Sequence, residues 1–323
     1  MKRKLKILNM ADISICPNVF ECLDDIAETA AFSPSVEILK ENIADFDIYF
    51  ASLKIAVGRE ILDKAANLKV IATPSTGTDH IGVKYATQKG IKIISLKDDI
   101  KFLENITSTA ELVWGLLLSC TRKIPWAFTA AKNGIWGRDM FRGNQLSGKT
   151  FGIIGYGRLG RIVGQYAKAF RMNVVACDIK ESTPDFHVKM LPFDDVLKNS
   201  DVISIHVHLT PENKGLINKS SFDKMKKGVV LINTSRGAII DEGAFLDALE
   251  TGKVPAAGID VIDGEWNDDL KEHPLIRYAC AHDNLVITPH VGGVTYEAQI
   301  MTVEHMVKKL KAYLEHIIDR GHL

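Results

Sequence analysis

The chain has 323 residues, 46% of them hydrophobic, and its Lys+Arg 40 are balanced by Asp+Glu 40. A chain of this length suggests about two domains, with apolar side chains enough for two cores. The balanced charge leaves no global field to draw in nucleic acid or an anionic membrane, so neither is expected as a partner. The start, MKRKLKILNMADISI, lacks the apolar core and small-residue cleavage site of a signal peptide and reads as a first strand. The most apolar run, residues 112–119, is too short to span a bilayer. A cytoplasmic location is therefore expected. Cys16, Cys22, Cys120, Cys177 and Cys280 are scattered without a C-x-x-C pair. Buried free thiols are expected, rather than a disulfide or a metal site.

In the first half, short apolar runs rich in β-formers at 4–10, 47–53, 69–75 and 91–95 alternate with helical spacings at 58–68 and 84–90. That alternation predicts a parallel α/β sheet. Residues 75–82, STGTDHIG, follow a strand directly. They read as a glycine turn running into a helix whose first N–H groups suit a small anion, or as an ordinary tight turn. Asn105 or Thr107 is placed to cap a helix from about 107 to 121. Its apolar residues run nearly all round, so it is expected to be buried, in a core or at a subunit interface.

The second half opens on a strand, KTFGIIG, and the fingerprint GYGRLG with Gly155, Gly157 and Gly160. The first glycine allows a tight turn, the second a close approach of a pyrophosphate, and the third packing of helix on strand. A helix follows, then a strand ending in Asp178, 18 residues past Gly160. That is near the ~20 expected for the carboxylate that binds ribose hydroxyls. Its charge favours NAD over NADP, because it would repel a 2′-phosphate.

The later strands repeat one pattern. DVISI leads into His206, GVVLIN into Thr234, Ser235 and Arg236, PAAGI into Asp260, and NLVIT into His290. In open α/β sheets the ligand crevice lies at those carboxyl ends. A 2-oxo acid presents a carboxylate beside a ketone, and the planar fork of Arg236 suits the carboxylate. Reduction makes an alkoxide that needs a proton, which His290 can supply near neutral pH. Glu265 beside it would fix the ring's tautomer and favour the imidazolium.

These residues and the motifs GKTFGIIGYGRLGR, HVHLTPENKGLIN, LINTSRGAIIDE, AAGIDV and ITPHVGG resemble those of the D-isomer-specific 2-hydroxyacid dehydrogenase family, in its phosphoglycerate dehydrogenase-like branch. The resemblance covers nearly the whole chain. It implies two doubly wound parallel-sheet α/β domains. A Rossmann NAD-binding domain, residues 101–292, is inserted into a flavodoxin-like substrate-binding lid, residues 1–100 plus 293–323. The two crossings would act as a hinge. NAD is the implied cofactor, a small 2-oxo or D-2-hydroxy acid the substrate, and a homodimer through the NAD-binding domain the assembly. The implied catalytic residues are Arg236, Glu265 and His290. Gly155, Gly157, Arg158, Leu159, Gly160, Asp178, His206, Thr234 and Asp260 are implied on the cofactor side. Ser52, Thr76, Gly77 and Asn105 are implied on the substrate side.

Two positions depart from the family pattern. Trp266 follows Glu265 where a proline is usual, and Ser52 stands where many members carry an arginine. The second weakens any expectation of a phosphorylated substrate; Lys54, Arg138 and Arg142 are the cations that remain to consider. No C-terminal regulatory domain is expected. The alternative function on this scaffold is an NAD-sensing, corepressor-like binding protein. A formate dehydrogenase-like reading is disfavoured, because that branch has glutamine where Glu265 stands.

Overall fold

Parallel strands cannot be joined by a tight hairpin and need a crossover, which helices supply here. The computed structural model describes residues 3–180, 188–267 and 269–320. The chain divides into two compact units, Met1–Asn105 with Thr295–Leu323, and Ile106–Val294.

The first unit holds strands β1 (Leu5–Asn9), β2 (Ala27–Ala31), β3 (Ile48–Phe50), β4 (Val70–Ala72) and β5 (Lys92–Ile94). All pairings are parallel, in the order β2-β1-β3-β4-β5, the doubly wound order of flavodoxin-like sheets. Strands β3 and β4 are buried throughout, which is why they read as unbroken apolar runs. The edge strand β2 was not legible. Its sequence, AETAA, favours helix by propensity and buries only its first residue fully, so pairing with β1 decides its conformation. The C-terminal helix Tyr296–Asp319 starts where the Thr295 hydroxyl accepts from the Ala298 N–H at 3.2 Å. It buries Val303, Met306, Val307, Leu310 and Leu314 at helical spacing. Lys309 Nζ fastens it to the first unit, donating to the Ser95 carbonyl at 2.8 Å and Asp99 Oδ2 at 2.7 Å.

Of the two readings of residues 75–82, the structure shows the ordinary turn. The next helix is Val83–Gln88, and a separate turn precedes it, with Ile81 N–H donating to the Thr78 carbonyl at 3.0 Å. Thr76 and Gly77 therefore lie in a loop and not at a helix start. The Ser75 hydroxyl shapes that loop by donating to the Gly77 carbonyl at 2.7 Å.

The second unit holds β6 (Thr150–Ile154), β7 (Asn173–Cys177), β8 (Val188–Met190), β9 (Val202–Ile205), β10 (Val230–Asn233), β11 (Ala256–Ile259) and β12 (Leu285–Ile287). The order is β12-β11-β10-β9-β6-β7-β8, again parallel throughout. Counted from β6, this is the Rossmann order with one strand added, and the order in which strands are laid down reverses between β6 and β9. The helix Ser108–Thr121 is buried on one side of this sheet through Ala110, Val113, Trp114 and Leu117. Thr107 occupies its N-cap position but does not cap it by its side chain; its hydroxyl donates to Glu111 Oε1 at 2.6 Å instead.

That seat depends on small residues in β11. A Cβ on Gly258 would lie 2.9 Å from Leu116 Cβ and 3.1 Å from Cys120 Sγ. The Cys120 thiol also donates to the Ala257 carbonyl at 2.9 Å. Burial pushes the Cys120 thiol up to about 12 and the Cys177 thiol up to about 11. The other cysteines are not buried as expected: Cys16 is half-buried, while Cys22 and Cys280 are exposed on outward positions of a surface turn and a helix. No helix among the described residues is long and apolar enough to cross a membrane.

Gly258→Val should lower stability by about 1–3 kcal/mol through overpacking against the helix Ser108–Thr121. A denaturant titration reads this; an unchanged midpoint would show that the helix is not seated on β11 as described.

Candidate active site

The glycine loop joins β6 to the helix Arg158–Ala169. Gly155 adopts φ +95°, and a Cβ there would lie 2.6 Å from the His206 carbonyl oxygen. A Cβ on Gly160 would lie 2.2 Å from the Gly155 carbonyl oxygen. These two glycines let the loop, the end of β9 and the helix meet. Gly157 differs: nothing lies within 4 Å of its Cβ position. The open side of the cradle is therefore over Gly157, at the N-terminus of a twelve-residue helix, where a pyrophosphate would be favoured. Arg158 Nη1 donates to the Ile106 carbonyl at 2.9 Å, and Leu159 is partly buried in the core below. Asp178 is half-buried just past β7, and its Oδ1 accepts from the Lys180 N–H at 2.9 Å. The buried Thr234 Oγ1 and His206 Nδ1 have no hydrogen-bond partner in the structure. Open space over Gly157, a carboxylate past the second strand and two orphaned polar atoms at strand ends together fit a dinucleotide.

Asp260 follows β11 directly and is 1% exposed. Its Oδ1 accepts from the Thr288 hydroxyl at 2.5 Å and the Val291 N–H at 2.9 Å, and its Oδ2 from the Gly292 N–H at 2.8 Å. Burial pushes its carboxyl above the ordinary range, opposed by those donors. The same residue's N–H donates to the Asn233 carbonyl at 2.9 Å, and its carbonyl accepts from the His290 N–H at 2.8 Å. Asp260 thus ties the ends of β10, β11 and β12 together.

His290 lies on the last of these, with φ 54° in the left-handed region. Its Nδ1 lies 2.6 Å from Glu265 Oε1, and both side chains are largely buried. The other Glu265 oxygen is buried without a hydrogen-bond partner. The Trp266 indole stacks on the imidazole with ring centroids 5.8 Å apart. Arg236 follows β10 in extended backbone, its Nη1 donating to the Ser235 carbonyl at 2.8 Å. The Asn233 side chain clamps this loop, donating from Nδ2 to the Arg236 carbonyl at 2.9 Å and accepting at Oδ1 from the Ser235 N–H at 3.0 Å. A Cβ on the next residue, Gly237, would lie 2.0 Å from the Ile262 carbonyl carbon. The Arg236 loop therefore rests on the backbone that leads from Asp260 to Glu265.

In the sequence Asn233 and Gly237 stood only among the residues at a strand end, with no role of their own, and Thr288 was not singled out, although a buried asparagine ending a strand was a usable sign. In the first unit, Ser52 and the pair Thr76–Gly77 follow the neighbouring strands β3 and β4, past their carboxyl ends. Ser52 is buried, and its hydroxyl accepts from the Lys54 N–H at 3.2 Å. Asn105 is the exposed last residue of that stretch of the unit. Lys54 is exposed, and Arg138 and Arg142 are exposed on the surface beside Asp139.

His206 carries a pH dependence. Its Nε2 lies 2.8 Å from Ser204 Oγ, and burial of the ring lowers it from 6.5 to about 3. Between those values the unfolded chain binds a proton at this ring and the folded chain does not, so stability falls as the pH drops below 6.5. Going from pH 7 to 4.5 should cost about 2 kcal/mol from this group alone. In urea titrations at the two pH values, His206→Gln should lose correspondingly less than the wild type. Equal losses would place the acid sensitivity elsewhere.

The D-isomer specific 2-hydroxyacid dehydrogenase, NAD binding domain family matches residues 114–292. The D-3-phosphoglycerate dehydrogenase of Archaeoglobus fulgidus is 40% identical over 269 residues, covering 82% of this chain and 49% of that protein. The hydroxypyruvate reductase of Thermotoga maritima is 38% identical over 272 residues, covering 84% of this chain and 86% of that protein. The chain spans about half the length of the curated D-3-phosphoglycerate dehydrogenases it matches. Among solved structures, the D-lactate dehydrogenase of Aquifex aeolicus, complexed with NAD and lactic acid, superposes with a TM-score of 0.87 at 27% identity, over 97% of this chain and 96% of that one. With an NAD-binding domain recognised over more than half its length, and a relative of similar size at well above 30% identity, the chain belongs to the D-isomer-specific 2-hydroxyacid dehydrogenase family.

Proposed function

We propose that this protein is an NAD-dependent oxidoreductase that interconverts a small 2-oxo acid and its D-2-hydroxy acid. The observation that carries the reading is the 2.6 Å contact of Glu265 with His290, on strand ends shared with the glycine loop. Gly155, Gly157, Gly160, Asp178, His206 and Thr234 would hold NAD, which would supply or accept the hydride at its nicotinamide. Arg236 receives the substrate carboxylate with its two-pronged donor geometry. Glu265 holds Nδ1 of His290, which directs Nε2 to the substrate oxygen. In reduction His290 donates its proton as negative charge develops on that oxygen; in oxidation it takes the hydroxyl proton back. Asp260 acts through the loop it holds, as a positioning residue for His290.

The first unit is proposed as the substrate-binding domain, with Ser52, Thr76, Gly77 and Asn105 as its contacts. Buried, uncharged Ser52 supports an unphosphorylated substrate. A homodimer through the NAD-binding domain is proposed as the working form. It is supported by large apolar side chains left exposed in that unit: Trp136 at 88%, Met140 at 65% and Phe128 at 63%. These follow the helix Ser108–Thr121 and are not on it. A cytoplasmic setting is proposed with it, since it keeps the exposed Cys22 and Cys280 reduced.

The test is NADH oxidation by the purified protein with glyoxylate, pyruvate, hydroxypyruvate and 3-phosphohydroxypyruvate, repeated with NADPH. Turnover of at least one 2-oxo acid is expected, with NADH favoured by about tenfold or more because Asp178 repels a 2′-phosphate. Arg236→Lys should raise KM for the oxo acid by about tenfold or more and lower kcat, because a point charge replaces a planar fork. No turnover with any of these acids would contradict the reading, and an unchanged KM in Arg236→Lys would place carboxylate binding elsewhere.

A further inference from the structure

We infer that Trp266 is a positioning residue for His290, its indole face fixing the direction in which Nε2 of the histidine points. This rests on the reading of His290 as the proton donor.

The backbone of His290 is already fixed. Its N–H donates to the Asp260 carbonyl at 2.8 Å and the Thr288 carbonyl at 3.0 Å, with φ at 54°. The ring is less constrained. Nδ1 meets one oxygen of Glu265 at 2.6 Å, and the other oxygen of that carboxylate has no hydrogen-bond partner. A single hydrogen bond is an axis about which a ring can rock, and rocking about it moves the far nitrogen most. The Trp266 ring lies over the imidazole at 5.8 Å between centroids and 26° between planes. A flat aromatic surface in that place stops the rocking on its side and favours the stacked orientation.

The local chain makes this possible. Consecutive side chains of an extended segment point to opposite faces, so Glu265 and Trp266 in a strand would not both reach one ring. Here they lie in a turn closed by Asn267 N–H donating to the Gly264 carbonyl at 2.9 Å, with Gly264 at φ +74°. The turn presents the carboxylate to the edge of the imidazole and the indole to its face. Trp266 is 46% exposed, far more than a residue placed to fill a core.

The experiment compares wild type, Trp266→Ala and Trp266→Phe in oxo-acid reduction, and follows the His290 ring proton resonances by NMR, assigned with His290→Gln. Trp266→Ala should lower kcat by about tenfold to a hundredfold, the scale of a misplaced reacting group. Its KM for NADH should stay within about twofold of wild type, since uniform cofactor binding is untouched. Trp266→Phe keeps a stacking face and should recover most of kcat. The His290 resonances should move downfield in Trp266→Ala, where the indole ring current is lost. A Trp266→Ala enzyme with wild-type kcat and unmoved His290 resonances would overturn the inference. So would a Trp266→Phe enzyme as slow as Trp266→Ala, because the indole would then act on the substrate directly. A wild type inactive on every 2-oxo acid would contradict the functional reading instead, and the resonances would then decide whether the stack holds the ring.

Discussion

The carboxylate of Asp260 sits where the ends of β10, β11 and β12 come together, and the geometry of the candidate site hangs on it. It is 1% exposed, yet each oxygen has a protein donor: the Thr288 hydroxyl and Val291 N–H on one, the Gly292 N–H on the other. A buried carboxylate left with fewer partners would be strongly destabilising. Satisfied in this way, it gathers the backbone on both sides of His290 and holds that residue in the left-handed region, which a side chain other than glycine seldom adopts. Removing any one of the three donors would leave an oxygen less well paired and loosen the loop that carries the histidine.

Close backbone approach does the rest. Gly237 lets the Arg236 loop rest on Ile262 and Asp263, on the way from Asp260 to Glu265. Gly155 lets the fingerprint loop pass against the His206 carbonyl, and Gly160 lets the following helix meet that loop. Each contact is too tight for a Cβ. The residues proposed for the cofactor side and for acid–base chemistry are therefore rigidly related within one sheet, the arrangement that preorganised proton transfer would require.

How much of this was legible in the sequence varies with the kind of signal. Buried parallel strands are continuous apolar runs, so β3, β4, β6, β9 and β10 could be read from composition alone. The edge strands β2 and β8 could not, because they are partly exposed and specified by pairing more than by propensity. The recurrence of polar residues at strand ends was visible, and the structure places Glu265 and His290, 25 positions apart, in direct contact. The loop 75–82 admitted two readings, because its glycine and the helix that follows gave no sign of the turn at Thr78–Ile81 that separates them. Trp266 was visible only as a departure from a family pattern. Its stack on His290 depends on a turn that brings two consecutive side chains to one ring, which no periodicity reports.

The central claim is that Asp260 orders the His290 loop and does not mainly bind cofactor. Asp260→Asn tests it most directly, because the amide keeps the shape but replaces one acceptor oxygen with a donor facing the N–H groups of the loop. The measurement is the dissociation constant for NADH, by fluorescence titration, alongside kcat for the preferred oxo acid. The account predicts a kcat lower by about a hundredfold or more with NADH affinity within a few-fold of wild type. A variant that loses NADH binding but turns over at the wild-type rate at saturating NADH would contradict it.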